Sequence, residues 1–169
     1  LEWPETGERL NKISFDKYRS KGGMVILHSM SNDVVDIAVK SDITMIATDG
    51  YIKKGKGHPR TTGSYSMILG KYVRERKVIT LIDAIRKMSF MPAKRLENLV
   101  PNMKNKGRIK LGADADLVVF NPDSIINKST YSNPSAISEG IVHLIVNGIF
   151  VIENENIDYS SNCGKPIRA

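Results

Sequence analysis

Apolar residues occur in two different patterns in the first half of the chain, one with helical spacing and one in continuous runs. Residues 13–19 have helical spacing, and Gly22 is expected to end that helix. Continuous apolar runs at residues 24–27 and 43–47 predict strands that are covered on both faces. Ser31, between the two runs, is a suitable N-cap for a helix. This alternation predicts βα units and a parallel sheet.

The polar stretch after the second apolar run predicts a long loop. Residues 51–64 are rich in glycine and lysine, and a long loop in a compact domain is more often functional than idle. Helical spacing returns over residues 80–88, with a capping-box-like start at Thr80. Pro92 then suits the first position of a second short helix over residues 92–99.

After Asn102 the pattern changes to short β-strands. Asn147-Gly148 is a strong two-residue hairpin signal between two of them. The predicted strands are residues 108–111, 116–120, 141–147 and 149–153. The chain is therefore expected to divide into a βα part, residues 1–102, and a small β-rich module, residues 103–169.

Composition is that of an ordinary globular protein. The 169 residues are 41% hydrophobic and 25% charged, and the apolar runs fall far short of the roughly 20 residues of a membrane helix. No membrane association is expected. Cys163 is the single cysteine, so no intrachain disulfide can form, and a cytoplasmic location is expected. The chain begins at Leu1, which predicts that it is a piece of a longer one.

The net charge of +7 raises the question of nucleic-acid binding. The cations are scattered, however, and the two clusters at residues 53–56 and 74–77 lack the interleaved aromatic residues that stack on bases. A lysine-rich solvated surface is the preferred interpretation, and no nucleic-acid partner is expected.

Two motifs in the second half identify a family resemblance. GRIKLGADADLVVFNP at residues 107–122 and IVHLIVNGIFV at residues 141–151 closely resemble the C-terminal signature of the amidohydrolase superfamily. In that family such strands help to build a small β-sandwich beside a metal-bearing (β/α)8 barrel. Asp116 in this pattern is expected to be structural.

Upstream motifs resemble the D-aminoacylase branch, whose members are N-acyl-D-amino-acid deacylases. They are LEWPETG at 1–7, MIATDG at 45–50, GHPR at 57–60 and the glycine-flanked residues 63–70. The resemblance implies an α/β fold class: residues 24–27 as the seventh barrel strand, 43–47 as the eighth, and an incomplete domain.

Asp49 and Arg60 are the main candidates for chemistry. Asp49 follows a predicted buried strand, on the face where barrel enzymes place their catalytic groups. The resemblance makes it a zinc ligand and the base that accepts a proton from water, whereas the structural alternative is an Asp-Gly turn. By resemblance Arg60 binds the substrate's α-carboxylate, which suits its planar fork of donors; otherwise it is a surface arginine of a basic loop.

Met30 and His58 are weaker candidates for substrate binding. Met30 stands where the family places an apolar residue lining the acyl or side-chain pocket, and core packing is the alternative. His58 is expected to shape this loop or approach the site, and a lone histidine in a loop is more often structural than catalytic. A hydrogen-bonded structural role is preferred for His28, and His143 is expected to have no part in chemistry.

The remaining ligands of the family's metal site have no counterpart here. The three histidines have no ligand spacing, and zinc needs three or four protein ligands, so the chain alone is expected to hold no zinc and to be inactive. The expected function is that of the complete enzyme: zinc-dependent hydrolysis of N-acyl-D-amino acids, with the absent N-terminal barrel portion as partner. A truncated, non-catalytic paralogue that binds a partner is the alternative.

Overall fold

The computed structural model describes residues 1–53 and 55–168, in which helices are combined with small antiparallel sheets. The α-helices are α1 (Lys12–Lys21), α2 (Asn32–Lys40), α3 (Arg60–Met67), α4 (Leu81–Ile85) and α5 (Met91–Leu96). Two π-helical stretches, Ile68–Glu75 and Arg86–Phe90, and a 3-10 helix, Pro101–Asn105, adjoin them. The strands are β1 (Glu2–Trp3), β2 (Glu8–Arg9), β3 (Ile52–Lys53), β4 (Lys56–Gly57), β5 (Leu117–Phe120), β6 (Ile141–Val146), β7 (Ile149–Glu153) and β8 (Asn156–Ile157).

The first two predicted helices are confirmed, together with their end signals. Helix α1 ends at Gly22, which adopts a φ of 69°. Helix α2 begins after Ser31, whose hydroxyl accepts the N–H of Val34 at 3.4 Å. No helix of the described residues is long and apolar enough to cross a membrane.

The two predicted parallel strands are not formed. Residues 24–27 make only an isolated antiparallel bridge, in which Glu2 and Ile26 exchange backbone hydrogen bonds of 2.9 Å. Ile43 belongs to a turn, residues 44–47 have no regular secondary structure, and Ile46 N–H donates to the carbonyl of Lys87 rather than to a strand. The physical reason is that a strand exists only through paired neighbours, and the described residues offer these runs no parallel partner. Leu27 and Ile43 consequently remain 67% and 91% exposed.

The long loop predicted over residues 51–64 is also corrected. Strands β3 and β4 pair as a minimal hairpin, and helix α3 begins at Arg60 and passes into π-helical residues up to Glu75. The sequence predicted a loop here because this segment contains glycines, and glycine has a low helix propensity. A Cβ at Gly63 would lie 2.0 Å from Asn127 Oδ1, and one at Gly70 would lie 2.6 Å from the carbonyl oxygen of Ile125. These glycines therefore let the helix approach residues 125–129 directly.

The predicted helices around Pro92 form one continuous helical rod. Thr80 caps its start by accepting the N–H of Asp83 at 3.1 Å. The π-helical stretch Arg86–Phe90 immediately precedes Pro92. Proline lacks an N–H and crowds the carbonyl four residues earlier, so a local change in the hydrogen-bonding pattern accommodates it.

The hydrophobic core lies where the helices meet residues from the second half of the chain. It contains fully or largely buried Val39, Ile68, Leu69, Tyr72, Ala84 and Ile125. Phe120 and Ile141, at the ends of β5 and β6, pack against it. The sheet is thus anchored to the helices by apolar burial. The division at residue 102 stays a prediction.

The C-terminal strands form a four-stranded antiparallel sheet in the order β5-β6-β7-β8. Asn147 and Gly148 join β6 to β7 with φ angles of 50° and 79°, the left-handed conformations that a two-residue hairpin turn requires. This confirms three of the four predicted strands. His143 packs edge-on against Phe150 and accepts the N–H of Asn154, as expected for a structural side chain.

Residues 108–111 are not a strand, contrary to the prediction. Arg108 instead donates to Glu97 Oε2 at 2.6 Å and to the carbonyls of Met103 and Lys106, and its guanidinium lies over the Phe90 ring. This binding fixes Arg108 to the end of the helical rod. Ile109 is left 93% exposed.

Asp116 has the expected structural role. It accepts the N–H of Asn147 at 2.8 Å and pairs with Lys106, so it ties the hairpin turn to the start of β5. Burial raises the pKa of Asp116, but the hydrogen bonds from Lys106 and Asn147 and the charge of Lys106 outweigh burial and leave it below its usual value.

Candidate active site

Asp49 occupies a strained backbone position shortly after residues 43–47. Its φ is +41°, in the left-handed region, which costs a non-glycine residue on the order of 1 kcal/mol or more. Its side chain is 93% exposed. The next residue, Gly50, packs directly on helix α3, because a Cβ there would lie 2.4 Å from Thr61 Cα. This contact brings Asp49 to the start of the helix.

Arg60, the first residue of α3, lies beside Asp49. Its Nη2 donates to Asp49 Oδ2 at 3.3 Å. The structure thus joins two residues that are eleven positions apart in the sequence and that were singled out separately. Both side chains are substantially exposed, so this ion pair is worth only about 0–1 kcal/mol.

His58 links Arg60 to a residue that the sequence did not indicate. Its Nδ1 accepts the backbone N–H of Arg60 at 3.1 Å, and its Nε2 lies 3.3 Å from the hydroxyl of Tyr131. Burial lowers the pKa of His58, and the positive charge of Arg60 lowers it further. The imidazole is therefore neutral near pH 7.

Tyr131 lies between two imidazole rings. Its ring centroid is 5.1 Å from that of His58 and 5.0 Å from that of His28, with edge-on geometry in both cases. The one signal in the sequence is an aromatic residue within the polar segment 127–136, which is too common a feature to predict a site.

His28 is held from the other side by Glu2. His28 Nε2 lies 3.0 Å from Glu2 Oε2, and the Nε of Arg9 is 3.4 Å from the same oxygen. Glu2 is a largely buried carboxylate that sequence reasoning also missed. The hydrogen bond agrees with the structural role expected of His28.

Met30 is not among the residues that the contacts described above link to Asp49 and Arg60. It lies between His28 and helix α2, and it is 76% exposed. Its contact with substrate stays a prediction.

The described residues do not complete a metal site. Among residues 1–53 and 55–168, no three His, Cys, Asp or Glu side chains are grouped so that they could hold a metal ion. Asp49 offers an accessible carboxylate that fits the role of one zinc ligand. A zinc ion needs two or three further protein ligands, which these residues do not supply.

Comparison with known proteins gives a consistent result. The model of the amidohydrolase family matches residues 8–151. The N-acyl-D-glutamate deacylase of Alcaligenes xylosoxydans xylosoxydans is 36% identical over 126 residues, which cover 75% of this chain and 25% of the relative. The D-aminoacylase of the same organism is 29% identical over 155 residues, which cover 86% and 31%.

Two solved structures are similar to this chain over most of its length. A D-aminoacylase with a binuclear metal centre matches with a TM-score of 0.73 and 27% identity, covering 83% of this chain and 28% of that one. The N-acyl-D-glutamate deacylase of Bordetella bronchiseptica, in complex with zinc and a phosphonate inhibitor, matches with a TM-score of 0.70 and 32% identity, with the same coverage. The chain therefore spans about a quarter to a third of the length of these relatives.

Proposed function

This chain belongs to the amidohydrolase family, and we propose that it forms the C-terminal part of a metal-dependent hydrolase that cleaves the amide bond of N-acyl-D-amino acids. The similar curated proteins carry the names of deacylases of this substrate class. The similarity is spread over most of this chain, which supports carrying their activity over to it.

The observation that carries the proposal is the approach of Arg60 to Asp49. A guanidinium and a carboxylate with atoms 3.3 Å apart provide both charged groups that the reaction needs. The carboxylate can accept a proton from water. The guanidinium can bind the α-carboxylate that every N-acyl amino acid carries.

In the proposed reaction, water attacks the acyl carbonyl and the bond to the amino-acid nitrogen breaks. Asp49 accepts the proton of the attacking water and passes it to the leaving amine, so the products are a carboxylate and a free D-amino acid. Asp49 would be one ligand of a zinc ion, which would polarise the acyl carbonyl as a Lewis acid and lower the pKa of water. Arg60 fixes the substrate's α-carboxylate.

The weakness of the Asp49–Arg60 pair suits these roles. Both groups are exposed, so the pair costs little to separate when a metal ion and a substrate carboxylate replace the two partners. Met30 lines the acyl or side-chain pocket in this proposal, and His58 orients the loop before α3.

The proposal also assigns places in the complete fold. Residues 24–27 and 43–47 become the seventh and eighth strands of a (β/α)8 barrel, and residues 103–169 contribute to a β-sandwich. The exposed apolar side chains of both runs support this assignment, because neighbouring strands would cover them. The partner is then the N-terminal barrel portion, which carries the other metal ligands. The proposal includes a cytoplasmic location for the complete enzyme, because a single cysteine cannot form an intrachain disulfide.

A hybrid enzyme tests the proposal directly. The C-terminal segment of the Alcaligenes D-aminoacylase is replaced by this chain, and hydrolysis of N-acetyl-D-methionine is measured with zinc bound. Turnover is expected in the hybrid, and Asp49→Asn should lower kcat by on the order of 10²–10⁴-fold, because an amide cannot accept the proton. Asp123→Asn, which alters an exposed carboxylate elsewhere, should leave kcat unchanged. An Asp49→Asn hybrid with near-normal turnover and bound zinc would contradict the assignment.

Arg60→Lys tests the substrate contact separately. A lysine keeps the positive charge but cannot form the bidentate contact, so KM should rise for free-acid substrates and change much less for amide-capped analogues. Equal losses on both kinds of substrate would show that Arg60 does not bind the α-carboxylate.

A non-catalytic binding domain is the second candidate function. The absence of a group of three metal-ligating side chains in the described part of the chain favours it, as do the exposed apolar runs. The 169-residue chain alone, dialysed after addition of zinc, should retain no stoichiometric metal and hydrolyse no N-acyl-D-amino acid. Both candidates share this expectation, and turnover in the hybrid separates them.

A further inference from the structure

Tyr131 is held over the start of helix α3 by a dense set of contacts. Ser129 Oγ donates to the carbonyl of Pro59 at 2.7 Å, and Thr62 Oγ1 donates to the carbonyl of Pro134 at 2.8 Å. Gly63 lets the helix approach Asn127 without a side chain between them. Because contacts flank Tyr131 on both sides along the chain, its ring has a defined position relative to His58.

The hydrogen bonds of His58 determine where its proton lies. A neutral imidazole carries one proton, and the nitrogen that accepts a hydrogen bond is the one without it. Nδ1 faces the backbone N–H of Arg60 at 3.1 Å, and an N–H can only donate. The proton is therefore on Nε2, from which it is donated to the hydroxyl oxygen of Tyr131 at 3.3 Å.

The electrostatic environment agrees with this arrangement. Burial, and then the charge of Arg60, lower the pKa of His58, which keeps the ring neutral. Burial and the charge of Glu2 raise the pKa of Tyr131 against the opposing charges of Arg9 and Arg60. Tyr131 therefore stays a neutral phenol whose oxygen can accept the Nε2–H.

We propose that Tyr131 is a positioning residue for Arg60 and acts through His58. By accepting the Nε2–H, Tyr131 holds the imidazole in the tautomer and orientation in which Nδ1 accepts the N–H of Arg60. The backbone of the first residue of helix α3, from which the Arg60 side chain extends, is thereby fixed. The link from this device to substrate binding rests on the proposed function, whereas the tautomer and the hydrogen bond do not.

Loss of the Tyr131 hydroxyl removes the only acceptor that the described residues place at Nε2. The neutral ring is then free to move its proton to Nδ1, and in that tautomer Nδ1 can no longer accept the Arg60 N–H. One hydrogen bond of about 1 kcal/mol corresponds to roughly a fivefold change in the opening equilibrium of that amide.

Nuclear magnetic resonance of the 169-residue chain tests the proposal without any assay of turnover. Long-range proton–nitrogen correlations of the imidazole should show His58 with its proton on Nε2. In Tyr131→Phe, the Nδ1–H tautomer should appear, and hydrogen exchange of the Arg60 amide should become about fivefold faster. A His58 proton on Nδ1 in the unaltered chain would overturn the proposal, as would a Tyr131→Phe variant with unchanged tautomer and exchange.

Two variants of His58 provide matched controls. Asn at position 58 places its Oδ1 near the position of Nδ1, so His58→Asn should keep the Arg60 amide protected and make it insensitive to a further Tyr131→Phe change. His58→Gln keeps a polar group near Nε2 but loses the Nδ1 acceptor, so that amide should exchange about as fast as in Tyr131→Phe. If Tyr131→Phe accelerates exchange equally in the presence and absence of His58, Tyr131 does not act through His58.

The outcomes separate this inference from the proposed function. The His58 tautomer and the exchange rate of the Arg60 amide are measured in the chain alone. An inactive hybrid would therefore refute the hydrolase proposal without changing the conclusions about His58 and Tyr131. In an active hybrid, Tyr131→Phe should raise KM for free-acid substrates severalfold with a smaller effect on kcat. An unchanged KM would remove the link to substrate binding.

Discussion

Two regions of the chain contain apolar runs of strand length, and they behave differently. Residues 141–146 and 149–153 pair with each other and build the antiparallel sheet. Residues 24–27 and 43–47 are also largely apolar, yet the first run makes only an isolated bridge, and the second is held by hydrogen bonds with Lys87 of the helical rod. Hydrophobic content alone therefore does not decide which segment becomes a strand.

The difference lies in the distance along the chain to a partner. A two-residue turn brings β7 against β6, so closing the hairpin costs little chain entropy. A parallel strand needs a crossover connection and neighbours on both sides, and these neighbours are distant in sequence. This chain spans about a quarter to a third of the length of its relatives. The local pairing of β6 with β7 forms in it, whereas residues 24–27 and 43–47 have no parallel partner among the described residues.

The largest expected contrast between the two regions is in amide hydrogen exchange. Amides of β6 and β7 that donate within the sheet should exchange at the rate of global unfolding, and those of Ile43 and Met45 near the rate of free peptide. For a stability of about 5 kcal/mol the difference is roughly several thousandfold. Comparable protection in both regions would show that residues 43–47 pair in solution.

Lys87→Met should weaken the unpaired region most strongly among single substitutions. Lys87 is 1% exposed, and its Nζ donates to the carbonyls of Ser41, just before the run at residues 43–47, and of Thr44, within it. Methionine fills the space but leaves buried carbonyls with fewer partners, at a cost of about 1–3 kcal/mol. Urea unfolding measures this loss, and Lys110→Met, at an exposed position, should cost almost nothing.

Gly148→Ala should weaken the hairpin by about 1 kcal/mol. No atom lies within 4 Å of the position of the new Cβ, so the whole effect should come from forcing alanine to a φ of 79°. The matched control is Gly164→Ala, where there is equal space and no left-handed backbone. An equal loss of stability in both variants would mean that the left-handed φ at position 148 is not its cause.

The smallest expected effect is the pH dependence contributed by Asp116. Its pKa is lowered in the folded protein, so the ionised form stabilises the fold above the unfolded-state pKa of about 3.9. This contribution is lost as the pH falls through the lower, folded-state pKa. The free energy of unfolding of Asp116→Asn should therefore approach that of the unaltered chain between about pH 5 and pH 2. If the difference in free energy of unfolding between Asp116→Asn and the unaltered chain stays constant with pH, ionisation of the carboxylate is not its cause. Asp123→Asn serves as the control at an exposed carboxylate.

What the sequence by itself determined is local. Ser31 and Thr80 cap their helices, Gly22 ends α1, and Asn147-Gly148 turns the hairpin, because each acts through backbone groups a few residues away. The resemblance of residues 45–50 and 57–60 to family motifs identified Asp49 and Arg60 as candidates, although their roles stay predictions.

Only the tertiary structure decided which residues surround these candidates. Helix α3 was mistaken for a loop because its glycines serve close packing against residues 125–129, which no local pattern reveals. Glu2 and Tyr131 lie far from Asp49 and Arg60 in sequence and reach the cluster through His28 and His58. The strand-like runs at 24–27 and 43–47 stayed unpaired for the same reason: hydrogen bonds and close packing between distant segments depend on which partners fold against them.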